Sequence, residues 1–382
     1  MMNSILCNVC GNSLEDKIYA AEANKSLTSL SIGAKNQTDI FFCHNCGHVQ
    51  TAEYGDVAEY YDTSYNILAN SDDEDQIYIV KDGQPIYRTE HQVTTLTSKI
   101  SMFKGIQVLD YGCAKSSTMA ALLKTHEDMG VYLYDISSSY IPFWQKFLDD
   151  SRWSIYEIPK NWLGKFDLVT SFFSLEHISS LDDVFRKVRT LLKEGGTFYA
   201  VVPNFLTNIA DMIVVDHPNH FTESSITFLL ATNGFTIKNI DTESHRGALV
   251  IIAKLGTSNL EPVHEINNYE SAIEISKFWS NSSNKITEFE NKNRGLIAAI
   301  YGAGFYGAFL AANIADTNPV RFIIDQNPYL HGKSFFGKKI ISPDELPDDI
   351  EVIYVGLNPT YAKSIIGGIS SFSQRNLKYF YI

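Results

Sequence analysis

The sequence predicts an α/β protein centred on a doubly wound parallel sheet. From residue 106 onward short apolar runs alternate with helix-spaced segments, the mark of βα repeats. A turn, Asp110-Tyr111-Gly112-Cys113-Ala114-Lys115-Ser116, follows the first such run and opens a helix. A second turn, Gly302-Ala303-Gly304-Phe305-Tyr306-Gly307, repeats that layout towards the C-terminus. A cysteine-bearing segment of different character precedes both.

That first segment holds four of the five cysteines, as Cys7-Asn-Val-Cys10 and Cys43-His-Asn-Cys46. A CxxC turn presents two thiolates to one ion, so two turns close a tetrahedral zinc shell and leave no position for substrate. A segment this short gains a staple it needs, because its core is small. Gly11 and Gly47 follow the second cysteine of each pair, as tight knuckles prefer. Disulfide-linked or unrelated buried cysteines are the alternative. His44 and His48 could substitute as ligands, although four thiolates suffice.

Composition narrows the function. The formal charge of −13 argues against non-specific binding to a nucleic-acid backbone, which needs a basic surface. No run approaches the roughly 18 apolar residues of a membrane span, so no membrane insertion is expected. The opening residues have no basic region and no long apolar core, so no signal peptide is expected. Metal-bound or unpaired cysteines fit a reducing, cytoplasmic setting. Oligomeric state leaves no mark in the sequence.

A polar stretch, 51–88, follows the cysteines, with a tyrosine cluster and a turn at Gly83 that reads as a hairpin. Helix is predicted over 90–101. Strands follow at 106–111, 131–134, 153–157, 166–171 and 197–202, with helices at 117–124, 141–148 and 182–192 between them. Gly195-Gly196 reads as the C-cap of the last helix. Segments 235–240 and 248–254 read as an antiparallel pair. A helical stretch over 256–294 leads to a second α/β unit with strands at 296–301, 320–324 and 351–355 and a helix at 308–315. The expected domains are 1–88 (zinc-binding segment and linker), 89–258 (central sheet) and 259–382 (the second unit).

In the central unit the turn's backbone amides let a cofactor approach closely. Asp135, at the tip of the next strand, is placed to accept ribose hydroxyls of a nucleoside. The strand at 166–171 runs into Phe172-Phe173-Ser174-Leu175-Glu176-His177 at the carboxyl edge of the sheet, where ligands bind in such folds. Cys113 reads as a small packing residue.

With Phe166-Asp167-Leu168-Val169, Leu175-Glu176-His177, Leu191-Leu192-Lys193-Glu194-Gly195-Gly196 and Asn233-Gly234-Phe235, residues 106–254 resemble class I S-adenosylmethionine-dependent methyltransferases. The resemblance implies a seven-stranded sheet and a cofactor held by Asp110, Gly112, Cys113, Ala114, Asp135, Ile136, Ser171, Phe172 and Phe173. Over nearly its whole length the chain resembles the nucleotide-sugar C-methyltransferases. The likeness rests on Cys7–Gly11, Cys-His-Asn-Cys-Gly-His-Val-Gln at 43–50, Ile300–Gly304 and Ile324-Asp325-Gln326-Asn327-Pro328.

That likeness implies a structural Zn²⁺ and a Rossmann-like C-terminal domain that helps hold a nucleotide-sugar. Aligned on Phe221-Thr222, His217 falls on the family's catalytic histidine, Asp216 replaces its glutamate and Val214 its tyrosine. His217, held by Asp216, is the expected base, with His177 and His220 as further candidates. Tyr61, Tyr65, His245, Arg246, Gly302 and Tyr306 are the expected substrate contacts. The expected substrate is a small-molecule nucleotide-sugar or glycan precursor, methylated at carbon.

Methylation of a sugar hydroxyl in surface polysaccharide biosynthesis is an alternative. A non-catalytic ligand-binding relic is another, since Ala114 and Ser116 stand where the motif has glycine. NAD binding at the Gly302 turn, with Asp325 on the following strand, is a third.

Overall fold

The computed structural model describes residues 5–52, 71, 74–81, 83–256 and 267–382. They form two compact units. The first contains Met1–Lys17, Ile40–Asp211 and His217–Ser271; the second contains Ile18–Asp39, Met212–Asp216 and Ala272–Ile382.

The first unit is built on strands β1 (Gln107–Tyr111), β2 (Gly130–Asp135), β3 (Trp153–Ile155), β4 (Phe166–Phe172), β5 (Leu192–Pro203), β6 (Phe235–Asp241) and β7 (Ala248–Leu255). Their order across the sheet is β3-β2-β1-β4-β5-β7-β6. β1 pairs in parallel with β2 and β4, and β4 with β5. β7 runs antiparallel between β5 and β6. Strands covered on both faces read as continuous apolar runs, which is why β2 and β4 were legible.

Helices α1 (Arg88–Lys99), α2 (Ser117–Leu123), α3 (Leu181–Leu191) and α4 (Glu223–Thr232) belong to the same unit. α3 buries Leu181, Val184, Phe185, Val188 and Leu191, one face at helical spacing. Phe185 meets Phe198 and Phe235 edge-on at 5.5 and 5.7 Å between centroids. Thr222 and Ser225 form a reciprocal capping box at the start of α4. A hairpin, Ile77–Lys81 with Gln84–Tyr87, turns at Gly83 and leads into α1.

One sequence expectation is corrected. Gly195 and Gly196 do not cap α3, which ends at Leu191; they lie within β5. Phe166 faces Leu192 while Leu168 faces Thr197, so β5 bulges between them. Gly195 takes a φ of 71° there, and a Cβ on Gly196 would stand 2.9 Å from the Lys193 carbonyl.

The cysteine segment is joined to the sheet-bearing part of this unit by backbone pairing. Strand Val49–Thr51 lies between Ile40–Phe42 and Asn219–His220, antiparallel to both.

The second unit holds most of helix α5 (Asn267–Lys292) and a sheet of β8 (Ala298–Tyr301), β9 (Val320–Ile324), β10 (Ser334–Phe335), β11 (Lys338–Ile341), β12 (Val352–Val355) and β13 (Lys378–Tyr381). Its order is β10-β11-β9-β8-β12-β13, parallel except for β10. Helices α6 (Phe305–Asn313) and α7 (Pro359–Gly367) follow β8 and β12. Among the described residues no helix is long and apolar enough to cross a membrane.

The turn after β1 carries local strain. Gly112 has a φ of 68°, and a Cβ there would stand 2.0 Å from Ser174 Oγ. Ala114 and Ser116 keep left-handed φ values of 44° and 54° although neither is glycine. An L-residue pays about 1–2 kcal/mol for that conformation. Asp110 closes the turn: Ser116 Oγ donates to one carboxylate oxygen at 2.7 Å and Thr170 Oγ1 to the other at 2.9 Å. Burial pushes the Asp110 carboxyl up to about 7, against those two hydrogen bonds.

Two outcomes follow for stability. Ala114→Gly should stabilise the protein by about 1 kcal/mol in urea unfolding, because it relieves the left-handed alanine. Gly112→Ala should cost stability, and a stabilising Gly112→Ala would refute this account of the turn. The second outcome concerns pH. A carboxyl raised from 3.8 to about 7 on folding contributes most below its unfolded value, and that contribution is lost as pH rises towards 7. Between pH 4 and 7 the wild type should therefore lose more unfolding free energy than Asp110→Asn. Equal slopes for the two proteins would contradict it.

Candidate active site

The expected cofactor residues converge at the carboxyl ends of β1, β2 and β4. Asp135 ends β2 and is 9% exposed. Its Oδ2 accepts the Ala114 amide at 2.7 Å; its Oδ1 accepts the amides of Ile136 and Ser137 at 2.8 and 3.0 Å. Burial raises its carboxyl and the three amides oppose the rise. An ionised carboxylate offers about four acceptor directions, so three amides leave room for one ribose hydroxyl. A second hydroxyl requires one amide to be released.

Beside it, the Ile136 side chain is exposed, an apolar surface next to the carboxylate. Ser171 Oγ is buried and has no partner among the described residues. An orphaned hydroxyl at the end of β4 fits a ligand that brings its own polar atoms. Cys113 is buried, and burial pushes its thiol well up, which removes it as a nucleophile. Lys115 Nζ donates to the carbonyls of Ser71 and Glu74 at 3.1 and 2.8 Å, tying the segment ahead of the hairpin to the turn.

Phe172 meets Tyr199 at 5.7 Å, and Phe173 takes a left-handed φ of 51°. The Arg88 guanidinium lies 3.9 Å over the Phe173 ring. His245 approaches the same ring edge-on at 5.2 Å and the His91 ring at 5.1 Å. Its Nε2 is buried with no partner among the described residues. Burial, with Arg88 and His91 nearby, pushes His245 down to about 3, so it is neutral. Arg246 donates its amide to the Tyr78 hydroxyl at 2.7 Å and its guanidinium to the Tyr78 carbonyl at 3.0 Å.

His177 and His217 come together, rings perpendicular and 4.5 Å apart. The carboxylate bonded to His217 is Asp211, at 2.7 Å from Nδ1. Here the sequence reading is corrected. Asp216 instead accepts from the Ser29 amide at 2.6 Å and the Ser29 hydroxyl at 2.8 Å, tying down a loop of the second unit. Asp211 also bonds His220 Nδ1 at 2.8 Å, and His220 Nε2 meets Thr51 Oγ1 at 2.7 Å. Burial alone would raise the Asp211 carboxyl, but the adjoining imidazoles of His220 and His217 hold it well below the usual range. His220 is fully buried, so it reaches the site through Asp211.

Glu176, beside His177, was not among the expected site residues. It is 1% exposed, and its Oε2 has no partner among the described residues. Burial pushes its carboxyl up to about 7, with Asp211 adding to the rise and His217 opposing it. Asn219 was also missed. Its amide donates to the carbonyls of Leu175 and Ile178 at 3.0 and 2.7 Å, which fixes the turn that carries Glu176 and His177. Its carbonyl accepts from Asn8 Nδ2 at 2.9 Å. One sequence signal existed for Asp211: it is a lone charge inside the apolar run Ile209–Val215.

The four paired cysteines also converge. Their sulfurs lie within 4.8 Å of one another, with Cys7–Cys46 at 3.6 Å and Cys10–Cys43 at 3.5 Å. A disulfide would bring sulfurs to about 2.0 Å. His44 instead meets Asp16 at 3.0 Å and His48 meets Asn219 at 3.3 Å, so neither joins the cluster.

In the second unit the Gly302 turn repeats the Asp135 arrangement, with Asp325 Oδ2 accepting the Ala303 amide at 2.8 Å. Two of its glycines are required by packing: a Cβ on Gly307 would stand 1.9 Å from the Gly302 carbonyl, and one on Gly302 2.4 Å from the Gly356 carbonyl. Tyr306 packs against Trp279 at 5.9 Å. Tyr61 and Tyr65 lie outside the described residues.

Residues 87–239 match a family model described as a methyltransferase domain. No curated protein matches the chain. Among solved structures, the chain is similar to an S-adenosylmethionine-dependent methyltransferase from Mesorhizobium loti, at 16% identity and TM-score 0.35, over 43% of this chain and 97% of that one. It is similar to geranyl diphosphate C-methyltransferase from Streptomyces coelicolor A3(2), at 12% identity and TM-score 0.41, over 52% and 96%. A methyltransferase from Aquifex aeolicus gives 13% identity and TM-score 0.34, over 43% and 89%. The segment that carries the Gly112 turn, Asp135 and the Glu176-His177 pair is thus a methyltransferase domain, and the protein a methyltransferase.

Proposed function

We propose that the protein transfers a methyl group from S-adenosylmethionine to a nucleotide-activated sugar, with His217 as the base. One observation carries the chemistry: His217 stands against His177, bonded to the buried Asp211. Bound S-adenosylmethionine would supply a methyl already activated on a sulfonium, so the protein's task is to align and deprotonate the acceptor. Asp135, the exposed face of Ile136 and the orphaned Ser171 hydroxyl support a nucleoside cofactor at the sheet edge.

Asp211 accepts the Nδ1 proton of His217, which leaves Nε2 in the basic tautomer. For carbon methylation, His217 takes the proton beside a sugar ketone. The electron pair left behind forms the new carbon–carbon bond as the methyl leaves sulfur. Oxygen methylation needs only a hydroxyl deprotonated as it attacks. It gains support from buried Val214, which supplies no phenol to polarise a ketone.

The sugar itself rests on the sequence resemblance. In this reading His245 and Arg246 contact the nucleotide-sugar from the methyltransferase domain. The four thiols fit one structural Zn²⁺, since zinc–sulfur bonds of about 2.3 Å place tetrahedral sulfurs roughly 3.8 Å apart.

His217→Asn should lower kcat about 10²–10⁴-fold, the range of general acid–base contributions. Affinity for S-adenosylmethionine, measured by calorimetry, should stay within about threefold of wild type. Asp211→Asn should lower kcat in the same direction. A His217→Asn enzyme with undiminished kcat would exclude the base assignment. Carbon-13 NMR of the product, made with methyl-labelled cofactor, separates carbon from oxygen transfer.

Chelation of zinc should lower the melting temperature and raise amide exchange at 43–51 and at Asn219-His220 together, because those strands pair. Unchanged melting and exchange after complete chelation would rule out a structural metal.

A further inference from the structure

Outside the thiol cluster, one further set of metal-ligating side chains converges among the described residues: Glu176, His177 and His217. One ligand atom from each lies within 4.8 Å of the others. We propose that these three side chains form a second divalent-cation site, of imidazole–carboxylate class, that takes a borderline transition-metal ion such as Co²⁺, Fe²⁺ or Zn²⁺.

Three observations converge on it. Two imidazoles and one carboxylate are a donor set suited to these metals, and unsuited to Mg²⁺ or Ca²⁺, which prefer oxygen. Glu176 is 1% exposed and its Oε2 has no partner among the described residues, so a buried acceptor is left without a donor. His217 is backed by Asp211 through Nδ1 at 2.7 Å, and Asp211 in turn by His220 at 2.8 Å. A carboxylate behind a histidine fixes its tautomer and raises its basicity as a ligand, the usual outer shell of a protein metal site.

The ligands also sit on anchored backbone. Asn219 holds the Leu175–His177 turn through two carbonyls. The site offers three protein ligands and leaves the remaining positions to water or substrate, whereas the thiol cluster supplies four ligands and is closed. The two sites therefore differ in ligand chemistry as well as in place.

This inference goes beyond the proposed function, and it has a consequence that rests on it. A lone pair that His217 gives to a cation is withheld from a proton. Occupancy of the site and proton abstraction by His217 then exclude one another, so these metals inhibit methyl transfer.

The test is a Co²⁺ titration of the full-length protein carrying one equivalent of zinc, held by the four thiols, followed by calorimetry and visible absorption. One further equivalent should bind, with weak d–d bands and no thiolate charge-transfer. Glu176→Gln and His177→Ala should each weaken that binding at least tenfold, and Asp211→Asn about 10–100-fold as a residue behind a ligand. Circular dichroism of each variant checks its fold, and the wild-type titration needs no variant at all.

Absence of a second equivalent at millimolar Co²⁺ would overturn the proposal. So would a thiolate-type spectrum alone, or unchanged binding in both Glu176→Gln and His177→Ala. Binding accompanied by full methyl-transfer activity supports the site and removes His217 from proton transfer, so the two readings fail separately.

Discussion

A single carboxylate organises the candidate active site. Asp211 is 2% exposed and bonds two imidazoles, one to each oxygen. An isolated charge in that position would be costly; two imidazole partners make it tolerable and hold it ionised. The same bonds fix which nitrogen of His217 carries a proton and which is left free of Asp211. His220 passes the constraint on to Thr51, in the strand that follows the second cysteine pair. Asn219 adds a parallel tie from Asn8, in the first cysteine knuckle, to the turn bearing Glu176 and His177. The cysteine segment is thus two hydrogen bonds from the turn that bears Glu176 and His177, through Asn219, and three from His217, through His220 and Asp211.

The cofactor side relies on a different device. Ala114 and Ser116 replace the motif's later glycines, and the backbone keeps the left-handed turn regardless. The conformation is held by Asp135 on the Ala114 amide, by Trp144 Nε1 donating to the Ala114 carbonyl at 2.7 Å, and by Asp110 on Ser116. Local strain at a sheet edge, over-determined by its neighbours, is characteristic of binding sites. The substitutions therefore do not by themselves turn the domain into a relic.

Much of the fold was legible because it obeys a period. The apolar strands, the helical face of α3 and the paired cysteines announce themselves in sequence. The bulge at Gly195-Gly196 did not, since two glycines after a helix read equally well as a cap or as a kinked strand. Strands β11 and β13 were missed because their flanks, Gly332–Lys339 and Arg375–Lys378, are polar and break the pattern. The grouping of His177, His217 and Asp211 was half legible. His177 was found by its place at the carboxyl edge of the sheet and His217 through the family resemblance, which also offered Asp216 as its partner in place of a glutamate. The residue that bonds His217 lies six positions back, across an irregular segment where neither helical nor strand spacing predicts which side chains meet. Glu176 was placed at the ligand-binding edge beside His177 but given no role, because burial, which no periodicity revealed, gives it its character.

The central claim is that a sulfonium nucleoside binds where β1, β2 and β4 end, on the same edge as His217. A crystal structure with S-adenosylhomocysteine tests it most directly. The account predicts the ligand along Gly112, with its ribose on Asp135 and its sulfur on the side of His177 and His217. Ligand bound only at the Gly302 turn, or no ligand at saturating concentration, would contradict it.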